Sequence, residues 1–155
     1  MKIDIGLKDN SRKTVAEALG RVLADSYTLY LKTHNFHWNV TGPNFYSLHK
    51  HFEELYTELA GAVDELAERI RALGQFAPGS YAAFGKLTKI KEANDVPGPN
   101  EMIRQLVADN ETIVRAAREV KDLAESLGDV ETGDMMIERM QVHEKAAWML
   151  RAQLE

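Results

Sequence analysis

The feature that most constrains this chain is a single apolar register in its second quarter. Phe45, Leu48, Phe52, Leu55, Leu59, Ala62, Leu66, Ile70 and Leu73 step by threes and fours over about eight turns, the spacing of one buried helix face. Gly74 ends the run. A stripe of that length needs equally long partners, and three other segments supply them. The first opens after the cap candidates Asp9, Asn10 and Ser11, carries Val15, Leu19, Val22, Leu29 and Tyr30 on one face, and stops at Thr41-Gly42-Pro43-Asn44. Another runs from about Asn100 to Leu127 with Ile103, Leu106, Val107, Ile113, Val114, Ala117, Val120 and Leu123 facing inward, and Gly128 stops it. The last starts near Glu131 and passes through Met135, Met136, Met140, Ala147 and Leu150.

Between the second and third long segments lies a stretch broken by Pro78, Gly79, Gly85, Pro97, Gly98 and Pro99, with room for a short helix around Tyr81–Phe84. It is long enough to cross from one end of a bundle to the other. No strand pattern, internal repeat or low-complexity tract interrupts this. The expectation is an all-α four-helix bundle over 1–155, one domain, with a short helix in the long crossover.

Composition narrows the functions. At 155 residues and 45% hydrophobic content, the chain can bury a core without staples. It has no Cys, which excludes thiolate chemistry and fits a reducing compartment. Lys2, Ile3 and Asp4 follow Met1 with no apolar leader, and no apolar run approaches a membrane span, so a cytoplasmic protein is expected. The net charge of −5 argues against a general nucleic-acid binder.

Chemistry gathers on the second helix. His49 and Glu53 are four apart and share a face; so do Asp64 and Glu68. His37 precedes His49 across the break. Carboxylate plus imidazole is a ligand set suited to iron. Glu53 and Asp64 are eleven residues apart, which returns to within about 20° of the same direction but advances roughly 16 Å along the axis. One metal ion cannot be held by both pairs of one chain. Two antiparallel copies, related by a two-fold axis near Glu58 and Leu59, would set His49 and Glu53 of one opposite Asp64 and Glu68 of the other. Small Ala60 and Ala67 would permit close approach. Charged pairs four apart are equally the mark of a solvated face, so geometry alone leaves both readings open. None of His34, His37, His49, His51 and His143 has a Glu three residues before it, which disfavours a di-iron centre inside one bundle.

The stretch Asn35-Phe36-His37-Trp38-Asn39-Val40-Thr41-Gly42, then Leu48-His49 with Glu53, then Val63-Asp64-Glu65-Leu66-Ala67-Glu68-Arg69-Ile70 and Leu73-Gly74, resembles the signature region of the Dps-like miniferritins, in the ferritin-like superfamily. His143-Glu144-Lys145 and Ala147-Trp148-Met149-Leu150 resemble that family's last helix. The resemblance spans nearly the whole chain. It implies a dodecameric shell with ferroxidase sites at the dimer two-folds, placing His37, His49 and Glu53 of one chain with Asp64 and Glu68 of its partner. Glu53 stands where many members carry Asp; the longer arm keeps a carboxylate. The family oxidises Fe(II), by preference with hydrogen peroxide rather than dioxygen, and stores ferric mineral, with zinc a possible substitute at the site. Two irons acting together would remove two electrons and avoid releasing hydroxyl radical. Trp38 resembles a family tryptophan beside the site, an electron donor or simply a packed aromatic. Asp129, Asp134 and Glu138 fall where the family's acidic three-fold pore begins, where rings of carboxylates draw cations inward; acidic charge at a helix start also suits the helix dipole without any pore. DNA binding, the family's other activity, would rest here on Lys2, Lys8, Arg12 and Lys13, multiplied by many copies but opposed by the net charge.

Overall fold

A computed structural model of the protein describes residues 2–155, and its elements among those residues are all helical: α1 (Asp9–Asn39), α2 (Phe45–Ala72), α3 (Tyr81–Leu87), α4 (Pro99–Ser126) and α5 (Val130–Arg151). The four long helices form the bundle. The short α3 lies in the crossover and packs on α1. α1 pairs with α2, α4 with α5, and α1 also packs on α4.

Most of the periodic residues fill the core; Phe45, at the start of the second stripe, is instead 44% exposed, and Tyr30, Leu55, Val107, Val114 and Met135 are partly buried. Val15, Leu19, Val22, Leu29, Phe52, Leu59, Leu66, Ile70, Leu106, Ile113, Ala117, Met136 and Leu150 are all buried. Each large aliphatic or aromatic among them contributes about 1.5–3 kcal/mol by leaving water. The ends of the helices carry their own stop signals. Gly74 at φ +92° follows α2, and the amide of Gln75 reaches back to the Ile70 carbonyl at 3.2 Å. Gly128 at φ +83° follows α4, and the amide of Asp129 reaches Ala124 at 2.9 Å. These are left-handed closures that glycine adopts at no steric cost.

The start of α1 departs from expectation. Asp9, Asn10 and Ser11 do not precede the helix as caps; they form its first turn, with Lys8 at the N-cap position and no side-chain cap. Asp9 there meets the positive end of the helix dipole and pairs with Arg12 at 3.1 Å. α4 and α5 each begin one residue earlier than their patterns suggested, with Pro99 in the first turn of α4.

A polar chain, buried at Arg139, His143 and Asn110, ties three helices together at mid-bundle. Arg139 on α5 donates through both terminal nitrogens to the Glu58 carboxylate on α2. It also donates to Nε2 of His143 at 3.1 Å. The Asn110 Oδ1 on α4 lies 2.8 Å from Nδ1 of His143, so that nitrogen carries the hydrogen. The Asn110 amide in turn donates to the Leu106 carbonyl at 2.7 Å. His143 is therefore fixed as a neutral imidazole with both nitrogens engaged. Burial, with the Arg139 charge added, pushes its pKa down to about 3.

The sign of the resulting linkage is set by that depression. Above pH ~6.5 the ring is neutral folded or unfolded. Below it the unfolded chain takes up a proton that the folded chain refuses, so stability falls as pH drops towards 3. The thermal midpoint should fall on acidification from pH ~6.5 to ~5, above the main carboxylate range. In His143→Gln that part of the pH profile should flatten, although the variant is less stable at neutral pH. Differential scanning calorimetry across this window checks it; parallel profiles for the two proteins would refute it.

Candidate metal centre

The end of α1 and the start of α2 are joined by five residues, Val40–Asn44, and clasped by two histidines. Nδ1 of His37 lies 2.8 Å from the carbonyl oxygen of His49, and Nδ1 of His49 lies 2.8 Å from the carbonyl oxygen of His37. A carbonyl oxygen only accepts, so each Nδ1 carries the hydrogen. That leaves Nε2 of each ring, away from the clasp, as the nitrogen that would meet a metal. The two rings stack at 3.8 Å and 18°, and Phe45 stacks on His49 at 5.1 Å. His37 is buried and His49 half-buried.

Glu53 lies one turn beyond His49 on α2. Its carboxylate is 2.7 Å from Nζ of Lys50. That hydrogen bond and charge, with smaller help from His37 and His49, hold its pKa below the usual value. A carboxylate one turn from an imidazole pair is a donor mixture suited to Fe(II) or Zn(II). Asp64 and Glu68 are exposed further along α2. Because α2 runs unbroken from Phe45 to Ala72, the roughly 16 Å rise between Glu53 and Asp64 holds. Within one protomer no three His, Asp or Glu side chains among the described residues converge into a ready metal site. The protomer carries separated donor groups rather than a finished centre.

The other candidates divide. Trp38 is 59% exposed and meets the histidine pair only indirectly, its ring 4.0 Å from that of His34 and tilted 35° to it. Asp134 and Glu138 are both exposed along α5. Asp129 is different and requires a correction. It is fully buried, caps α5 by accepting from the Thr132 amide at 3.0 Å and the Thr132 hydroxyl at 2.7 Å, and pairs with Arg69 at 2.5 Å. Its carboxylate is spent on joining α2 to α5 and offers nothing to a pore. Arg12 likewise leaves the list of N-terminal cations. It is buried and donates to the carbonyls of Leu73 at 3.2 Å and Leu7 at 2.9 Å.

Lys50 and Tyr56 were not singled out by the sequence, and Glu58 only as a residue near the two-fold axis. Lys50 sits three residues before Glu53 and neutralises it. Tyr56 stands edge-on to His37 at 5.1 Å. Glu58 holds Arg139. The i, i+3 spacing of Lys50 and Glu53 was the one signal available in advance.

Comparison with known proteins fits this arrangement. The family model described as ferritin-like domain matches residues 16–155. A DNA protection during starvation protein of Brevibacillus brevis is 41% identical over 149 residues, covering 96% of this chain and 100% of that protein. The chain belongs to the ferritin-like family, as a Dps-like miniferritin. A second relative, DNA protection during starvation protein 2 of Bacillus anthracis, is 38% identical over 140 residues, 90% of this chain and 96% of that one. Among solved structures, the Dps protein of Vibrio cholerae O1, described as a member of a broad superfamily of ferritin-like diiron-carboxylate proteins, superposes with a TM-score of 0.95 at 34% identity over 100% of this chain and 98% of that one. A Dps protein of Bacillus brevis gives 0.91 at 40% identity with 100% coverage of both.

Asp129 gives this miniferritin a structural test. Asp129→Ala removes a helix cap and leaves the guanidinium of Arg69 without its anion. The expected cost is about 3 kcal/mol, read as a lowered urea midpoint. A loss under ~0.5 kcal/mol, the size of an ordinary surface change, would show that the pair is not needed.

Proposed function

We propose that this miniferritin oxidises Fe(II) at sites shared between two antiparallel copies of α2 and retains the ferric product inside a hollow homo-oligomeric shell. The observation that carries the reading is the reciprocal clasp of His37 and His49, which turns Nε2 of both rings away from the backbone, with the Glu53 carboxylate one turn along α2. Asp64 and Glu68 of a partner would complete each centre, and the Arg139-braced Glu58 lies near the middle of the paired helices. Exposed apolar side chains in the protomer, among them Tyr46, Phe76 and Val130, suit burial between copies.

Iron is here substrate and cargo. The imidazole pair orients it, and the carboxylates favour the higher charge that develops on oxidation. Two irons held side by side give hydrogen peroxide both electrons at once, so that it leaves as water or hydroxide. Dioxygen is the slower oxidant, and zinc is an inert competitor for the same donors. Asp134 and Glu138 are four apart and exposed on α5; repeated about a three-fold axis of a dodecamer they would draw cations towards the interior. We also infer a cytoplasmic location, a reducing compartment in which Fe(II) persists. No helix among the described residues is long and apolar enough to cross a membrane.

Complementation tests the sharing of the site. His49→Ala and Asp64→Ala homo-oligomers should each lose the fast ferric absorbance rise by about tenfold or more, by analogy with the loss of metal-site groups. Co-assembly of the two variants should restore part of it, because some dimers then hold one intact centre. Wild-type rates in both variants, or no recovery in the mixture, would remove the shared site.

A second reading is suggested by the relatives' name. DNA binding here would depend on Lys2, Lys8 and Lys13 alone, since Arg12 is buried. Gel shifts should show retardation at low salt that disappears at moderate salt; retardation that survives moderate salt would elevate this reading over iron storage.

A further inference from the structure

A cation sits on the candidate centre, and the ferroxidase reading gives it no part. Nζ of Lys50 donates to Oε2 of Glu53 at 2.7 Å. A carboxylate oxygen engaged by an ammonium is not free for a metal, so an arriving ion must displace Lys50. Both side chains stay in reach of water, 50% and 40% exposed, so the pair opens readily. The same helix offers Lys50 a second acceptor. At 100° per residue, Lys50 lies about 60° from Glu53 on one side and about 40° from Glu54 on the other. Lysine and glutamate four apart pair on a helix, and Glu54 is exposed. Glu54 also lies beyond the stripe that carries His49, Glu53, Asp64 and Glu68. Lys50 therefore reaches either carboxylate by turning its own side chain, with no movement of the backbone.

We propose that Lys50 is a displaceable counter-ion of the iron site: it holds Glu53 while the site is empty and passes to Glu54 when a metal ion takes Glu53. The proposal rests on the shared-site reading for the metal and for the facing carboxylates; the pair with Glu53 stands within one protomer. An empty shared centre gathers three carboxylates, Glu53 of one protomer with Asp64 and Glu68 of the partner subunit. They repel one another, the more so where the contact excludes water. A bound metal supplies the missing positive charge, and before it arrives Lys50 does. The effects of Lys50 thus have opposite signs: it favours assembly of the metal-free protein and weakens the binding of metal. It also selects among ions. An ion that binds through oxygen alone, such as Mg(II), has little to gain at a carboxylate already held, whereas one that also takes imidazole displaces the ammonium.

Zn(II) is the probe, because its binding is read without any oxidation step. In isothermal titration of the assembled, metal-free protein, Lys50→Gln should bind Zn(II) about threefold more tightly than wild type at low salt, the ratio shrinking as salt rises. Unchanged or weaker binding overturns the proposal. A double-mutant cycle locates the cause. The gain should vanish in a Glu53→Gln background; an equal gain there means plain repulsion of cations at a distance and overturns the proposal. Glu54→Gln should weaken Zn(II) binding about twofold in wild type and have no effect in Lys50→Gln; equal effects in both backgrounds overturn the transfer to Glu54. Calorimetric melting separates a counter-ion from a merely structural lysine. Metal-free Lys50→Gln should melt below wild type at low salt, and saturating Zn(II) should erase the difference. A deficit that Zn(II) leaves unchanged, or no deficit, overturns the counter-ion. Failure of the underlying site looks different: Zn(II) binding would then be indifferent to His49→Ala, which overturns the shared site and this proposal with it.

Discussion

The clasp between His37 and His49 is the constraint on which the rest turns. Each ring donates to the other residue's backbone carbonyl at 2.8 Å, so the two helix ends and the two side chains fix one another. A free histidine on a helix end samples several rotamers and both tautomers. Here the fold selects one of each, because any other tautomer would set a ring lone pair against a carbonyl lone pair. Orientation that would otherwise cost entropy on metal binding is already present. The short Val40–Asn44 connection is what makes the clasp reachable.

The same economy runs through the buried polar groups. Arg69 and Asp129 join α2 to α5 near one end. Arg139, Glu58, His143 and Asn110 join α2, α5 and α4 in the middle. Lys32 and Asp109 join α1 to α4 at 2.7 Å. Breaking one partner of such a set leaves the other stranded in low dielectric, which costs more than the intact pair contributes. Their role is therefore better seen as register than as net stability. Hydrophobic stripes alone would let long helices slide by a turn; ion pairs at three levels of the bundle would not. Register matters for the shared α2–α2 centre proposed above, which would tolerate little displacement along the axis.

How much of this was legible in the sequence can be read off particular residues. The stripe from Phe45 to Leu73 predicted α2, and glycines 74 and 128 predicted two helix ends, because periodicity and left-handed backbone are local properties. The i, i+4 pairs on α2 were legible as shared faces for the same reason. Asp129 shows the limit. An acidic residue at a helix start reads alike whether it caps, meets the dipole or lines a channel, and only Arg69, sixty positions earlier, decides between them. Arg12 misleads in the same way, since its carbonyl partners at Leu73 and Leu7 are set by tertiary packing. His143 was visible only as a histidine of the last helix; its tautomer and depressed pKa depend on Asn110 and Arg139, and Asn110 lies on another helix that periodicity does not connect to it.

The tyrosines extend the point from position to chemistry. Tyr27 and Tyr30 are three apart on α1, a spacing that sequence exposes, yet Tyr56 and Tyr81 come from other helices. Only the packing of α2 and α3 against α1 brings all four rings into one line. The line they form is a property of three packed helices, and no window on the sequence contains it.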